Sequence, residues 1–247
     1  MPRLIPFRLA AVCALAFILM LSTAALAAAK GPVADLRVVG GGGKVLAEDT
    51  FGAATASIKT SPQATCFGTG TGGSGKTVTI DGPTALGMLI QASKFTPALK
   101  PVQLTDAFSF GLGLCGVGGF KATKTVSWYL KVNHVNPELG GESVKVKAGD
   151  EVLWGLASFP YPDELALSAP DEAMPGVAFK VRAFSYDDKG KKKPAAGVTV
   201  TGASAPTGAD GRTTVTLTKP RRLIARHGKD IPSNREAVCV GGKCPKG

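Results

Sequence analysis

Only two histidines, His134 and His227, occur among 247 residues, and no G-x-S-x-G motif accompanies them. A Ser-His-Asp hydrolase would have to recruit one of these two, without the strained turn that presents the serine in α/β-hydrolases. Zinc is equally short of ligands: Cys239 and Cys244 form one Cys-x4-Cys with His227 nearby and no second pair. Charged residues make up only 19% and aromatics 6%, against 44% hydrophobic residues. That balance excludes wholesale disorder and leaves enough apolar material for a core. The apolar run near the start, Leu9 to Leu21, is about 13 residues long, short of the roughly 20 that a membrane-spanning helix needs.

What the start does contain is the layout of a secretory signal. Arg3 and Arg8 precede the apolar run, and small residues close it, with Ala25-Leu26-Ala27 as a cleavage site. Residues 1–29 are therefore expected to be removed, leaving no transmembrane segment. Cys13 lies within the run and not at the cleavage point, which sets it apart from a lipoprotein cysteine. Four cysteines remain, Cys66, Cys115, Cys239 and Cys244, and three pairings are open to them. An oxidising compartment favours disulfides, and the separation of the cysteines into two early and two late favours Cys66–Cys115 with Cys239–Cys244. The longer bridge would contribute about 4 kcal/mol through the entropy of the unfolded chain.

Thirty-two glycines and seventeen prolines, with Thr and Val in short alternating runs, favour many turns and strands over long helices. Strands are predicted at Val33–Val39, Thr50–Thr60 and Thr77–Ile80. A single helix follows Asp81-Gly82, with Pro83 in its first turn, Asp81 or Thr84 as cap, and Leu86, Leu89, Ile90 and Ser93 on one face. Val126–Asn133, Ser143–Lys147 and Glu151–Leu156 read as a three-stranded meander. Two prolines between Ser158 and Pro162 mark a domain boundary. Beyond it the pattern is purely β, at Leu165–Ser168, Val177–Tyr186, Val198–Thr201, Thr213–Leu217, Arg222–Arg226 and Ala237–Val240, with a charged hairpin loop at Asp187–Pro194 and a tight turn at Ala209-Asp210-Gly211.

The segment from Gly70 to Thr77, GTGGSGKT, matches the phosphate-binding pattern G-x-x-x-x-G-K-[ST]. That chemistry needs a buried strand before the loop and a helix beginning at the Lys-Thr pair, so that backbone N–H groups and the helix dipole converge on phosphate. Polar residues precede this loop and a strand pattern follows it, so a flexible Gly/Ser/Thr loop is expected instead. The adjacent acids Asp163/Glu164, Asp171/Glu172 and Asp187/Asp188 read as turn formers and not as acid/base couples. Trp128, Tyr129 and Trp154 lie on adjacent predicted strands and form either a core cluster or one wall of a ligand groove.

Net charge is +11, and removing the two charges of Arg3 and Arg8 leaves +9. A basic exported chain is suited to anionic cell-surface polymers. The basic residues gather at Lys189, Lys191, Lys192 and Lys193, and at Lys219, Arg221, Arg222, Arg226 and Lys229. No aromatics alternate with them in sequence, which argues against a specific nucleic-acid site and leaves solvated loops as the simpler reading.

Several short motifs of the first half, Thr84-Ala85-Leu86-Gly87-Met88-Leu89, Phe110-Gly111, Ser127-Trp128-Tyr129-Leu130-Lys131-Val132-Asn133 and Lys147-Ala148-Gly149-Asp150-Glu151-Val152-Leu153-Trp154, resemble the transcobalamin-like C-terminal domain family. The resemblance covers about Val33 to Ala157 and implies a β-grasp-like α+β domain. In the vitamin carriers such a domain closes over cobalamin together with a helical partner domain, which this chain does not have. His134 follows the Asn where relatives often carry Gly. In the second half, Ala195–Val200, Thr207–Arg212 and Leu223–Arg226 are similar to the Ig-like and prealbumin-like modules of bacterial surface proteins, which act as spacers or adhesive units.

The readings combine into a mainly β protein with one helix: a signal at 1–29, a transcobalamin-like β-grasp domain at 30–157, a small Ig-like β-sandwich at 163–240 and a tail at 241–247. The expected role is that of a secreted or cell-surface binding protein without catalytic activity, cofactor or metal, its extracellular ligand unnamed. A small-molecule carrier of cobalamin type is the alternative, and a hydrolase built on His134 or His227 is the third reading.

Overall fold

The computed structural model describes residues 31–246, so the signal segment and Cys13 lie outside the described residues. The fold is mainly β with a single α-helix. β1 (Val33–Gly40) turns through three glycines into β2 (Lys44–Gly52), and Gly42 and Gly43 take the positive φ angles that the turn requires. β3 (Ala56–Lys59) pairs with β4 (Thr77–Ile80) across the GTGGSGKT loop. The helix α1 (Ala85–Phe95) follows, capped by Thr84, whose Oγ1 accepts from the Gly87 N–H at 3.1 Å. Pro83 thus precedes the cap and does not occupy the first turn. The predicted stripe of Leu86, Leu89, Ile90 and Ser93 is buried, and so are Ala85, Met88 and Ala92, because α1 packs against both β2 and β3.

A hairpin of β5 (Val102–Phe108) and β6 (Gly111–Val117) comes next, extended by β7 (Phe120–Lys121). β8 (Val126–Val132) and β9 (Glu151–Ser158) then complete the main sheet, in the order β2-β1-β9-β8. β9 runs antiparallel to β8 but parallel to β1, with Leu36 opposite Val152. The expected meander is therefore not formed. Ser143–Lys147 does not become a strand: Val144 O accepts from Ala85 N and Val146 N donates to Pro83 O, so this segment braces the start of α1.

The remaining strands are β10 (Glu164–Ser168), β11 (Glu172–Ala173), β12 (Ala178–Tyr186), β13 (Lys192–Pro194), β14 (Thr199–Val200), β15 (Arg212–Thr216), β16 (Arg221–Leu223), β17 (Ala225–Arg226) and β18 (Glu236–Val240). β12 is central to its sheet, pairing with β10 on one side and with β13 and β15 on the other. A second sheet, β11-β18-β16, and the pair β14-β17 enclose a core of Leu165, Val181, Val200, Val215, Leu223 and Val238 with it. The first core, around Leu36, Val38, Met88, Leu89, Leu104, Trp128 and Trp154, is separate.

Alternation along β8 and β9 gives the main sheet two buried faces. Trp128, Leu130, Val152 and Trp154 point into the first core. Tyr129, Leu153 and Ala157 point the other way and pack on Ile231 of the second half, with Tyr161 stacked on Tyr129 at 4.3 Å. Two disulfides, Cys66–Cys115 and Cys239–Cys244, close the cysteine inventory of the described residues.

Candidate functional site

Two concavities flank the main sheet. The first is a groove of about 240 Å³ beside β8. Trp128 and Trp154, the chain's only tryptophans, contribute to its lining. The hairpin tip brings Phe110, which stacks on Phe108 at 5.0 Å, and Phe108 in turn meets Phe67 at 5.9 Å. Phe67 follows the disulfide cysteine Cys66 and is held at φ 60°, in the left-handed region that bulky residues rarely adopt. Backbone outliers of this kind concentrate at functional sites. On the opposite rim stands Leu139. Phe110 is 80% exposed and Leu139 63%, so large apolar side chains face water around an apolar floor.

Two buried polar atoms belong to this groove and have no hydrogen-bond partner: Trp128 Nε1 and Glu142 Oε2. The other carboxylate oxygen, Glu142 Oε1, accepts from the Leu112 N–H at 3.1 Å. Trp154 differs, since its Nε1 donates to Ala85 O at 3.4 Å. Gly141 allows the chain to pass against the Trp154 ring, where a Cβ would lie 2.5 Å from the indole.

All three aromatics singled out in the sequence line the groove; Trp128 and Trp154 also belong to the first core, and Tyr129 to the packing between the halves. Burial first, and then the Glu164 charge, push the Tyr129 hydroxyl far above its ordinary range, so it stays neutral. Sequence reasoning missed Phe67, Phe108, Phe110, Leu139, Tyr161 and Glu142. The signal open to it was the alternation of Phe108 and Phe110 ahead of Gly111.

The second concavity is a polar cleft of about 460 Å³ on the other side of the sheet, between the halves. Arg37 of β1 reaches into it, pairs with Glu164 of β10 and donates to Pro232 O at 2.9 Å. Glu164 is 2% exposed. His134 Nδ1 lies 3.1 Å from Glu164 Oε2. Burial pushes the Glu164 carboxyl up, but His134, Arg37 and Lys131 outweigh it and hold the group below its ordinary value. The His134 ring stacks on Tyr186 at 3.7 Å. Lys131 is fully buried, its Nζ donating to Tyr186 O at 3.1 Å and Asp187 O at 2.9 Å, with Asp188 at 3.7 Å.

This network joins the two halves. Among the described residues neither imidazole is hydrogen-bonded to a hydroxyl or thiol; His227 Nδ1 meets Asp230 at 3.0 Å. Among the described residues no group of three or more His, Cys, Asp or Glu side chains is placed to hold a metal ion, and no helix is long and apolar enough to cross a membrane.

The GTGGSGKT loop spends its donors internally. Gly73 N donates to Ser61 O, Ser74 N and Oγ to Asp106 at 2.7 and 2.5 Å, Gly75 N to Thr60 Oγ1 and Lys76 N to Ser74 Oγ. The hydrogen bonds from Ser74 hold the Asp106 carboxyl below its ordinary value, so a carboxylate occupies the place where a phosphate would be needed. β4, not a helix, follows Lys76. The loop is also more tied down than its composition suggests.

No protein-family model matches this chain, and no curated protein or solved structure is detectably similar to it.

Proposed function

We propose that this is an exported, disulfide-braced binding protein, secreted or held at the cell surface, with no catalytic activity of its own. Its ligand or partner segment would sit in the groove beside β8. The observation that carries this reading is the exposed Phe67, Phe110 and Leu139 ranged around a floor containing Trp128 and Trp154. Solvent-facing aromatics next to a concave apolar floor are the usual mark of a recognition site. The buried Trp128 N–H and Glu142 carboxylate oxygen supply one donor and one acceptor for orienting a mostly apolar ligand. Both disulfides fit an oxidising compartment.

Because both tryptophans of the chain line the groove, intrinsic fluorescence reports on it directly. The exported protein is recovered from native culture, bound material is identified by native mass spectrometry, and the stripped protein is titrated with it. Saturable change in tryptophan emission, lost in Phe67→Ala/Phe110→Ala, is expected. No bound material and no response would remove the reading. The same titration with a corrinoid tests the carrier role implied by the family resemblance.

A further inference from the structure

The sequence separates its basic residues into loops, but the β12 sheet reassembles a different set. Along β12, Val181, Ala183 and Ser185 are buried, so Lys180, Arg182 and Phe184 share the outward face. They are spaced by about 7 Å, two residues of extended chain. Pairing adds Arg212, directly opposite Arg182 on β15, and Lys192, opposite Tyr186 on β13. The aromatic missing from the basic runs in sequence is present in space: Lys192 Nζ lies 4.0 Å and Arg182 Cζ 4.8 Å from the Phe184 ring centre. Phe184 thereby helps to fix two cations, of which Arg182 also donates from Nε to Asp210 O at 3.1 Å.

Ordinary solvation of a sheet face does not account for this arrangement. Like charges directly opposite on an antiparallel ladder are destabilising, and Arg182 faces Arg212. Among the described residues, Lys180, Arg182 and Lys192 have no carboxylate within ion-pair distance, and Arg212 has only exposed Asp210, at 3.4 Å. A partner carrying repeated negative charge removes the repulsion. We propose that this face binds an anionic polysaccharide of the cell surface, giving the protein an attachment site separate from its groove. Nucleic acid is the poorer fit, since single strands need aromatic rings free for base stacking and Phe184 is engaged with cations.

The mature protein is tested on immobilised alginate and heparin at about 150 mM salt. Arg182→Gln/Arg212→Gln and Lys180→Gln/Lys192→Gln should each weaken binding by about tenfold or more and lower the log-log salt slope by about two. Lys219→Gln/Arg221→Gln removes the same charge from exposed positions elsewhere in this half and should change binding by less than about twofold. Phe184→Leu, with charge unchanged, should weaken binding severalfold. The arginine double variant relieves a repulsion but also removes the Arg182 bond to Asp210 O and the Arg212–Asp210 pair; should it unfold, the lysine pair carries the test. Equal losses in the control variant, or an absence of saturable binding, would overturn the proposal. Displacement by poly(dT) as effective as by alginate of equal charge would assign the face to nucleic acid instead.

Discussion

Lys131 sits on a strand whose pattern assigns it to the face opposite Trp128, and that assignment holds, yet the face is covered. The covering residues, Tyr186 and Asp187, lie some fifty-five positions later, and nothing within a seven-residue strand announces them. Lys131→Met removes a donor from the Tyr186 carbonyl and one of two from the Asp187 carbonyl, which keeps the Gly190 N–H, and a loss of about 1–3 kcal/mol in urea unfolding is expected. Lys76 is the contrasting case. It is exposed, at the end of a loop whose N–H groups from Gly73 to Lys76 are already used, so Lys76→Ala should change stability by less than about 0.5 kcal/mol, and no saturable magnesium-nucleotide binding is expected in either form. Asp106→Ala should instead speed amide exchange at Ser74 and Gly75, because the carboxylate closes the loop. The motif was dismissible from its sequence neighbours. The occupant of its donors was not, since Asp106 is thirty-two residues from Ser74.

Elements were legible where periodicity was clean. Thr77–Ile80 and the helix after Pro83 emerge as read, because alternation and a 3.6-residue stripe each leave one interpretation. The β5–β6 hairpin, which carries the groove's rim, was not legible: Gly111, Gly113 and Gly116 replace the alternating apolar residues that mark a strand. Those glycines answer to close neighbours, such as the Phe108 ring against Gly113, and sequence gives no view of neighbours. Ser143–Lys147 misleads in the opposite sense, its alternating valines packing on α1 without joining a sheet. Gly141, just before it, is the element's tightest point. Gly141→Ala should cost about 1–3 kcal/mol and shift tryptophan emission, since the new methyl group displaces the Trp154 ring.

At the scale of the whole molecule, Glu164 ties the second half to Arg37 of the first, and it and its neighbour Asp163 are carboxylates with lowered pKa. Glu164 and Asp163 both titrate below their ordinary values, Asp163 because the Ser185 hydroxyl and Lys193 outweigh its burial. A carboxyl held lower in the folded state stabilises fully above its unfolded value, near 4.5 for Glu164, and loses that contribution as pH falls through the folded value. Melting temperature should therefore be level down to about pH 5 and drop below it, with a shallower drop in Glu164→Gln. Protein recovered outside the cell should begin near Ala28 or Lys30 by N-terminal sequencing. Topology bears on the proposed export. β1 cannot complete its place in the main sheet until β9 arrives, and Leu36 and its partner Val152 are 116 positions apart. Sheets closed by such distant parallel pairing fold slowly, because the entropy of a long loop must be lost before any contact repays it. Were the chain exported from its N-terminus as proposed, β1 could pair with β2 at once while its other edge stayed open until β9 arrived, so the pairing that braces the finished protein would also delay its collapse inside the cell.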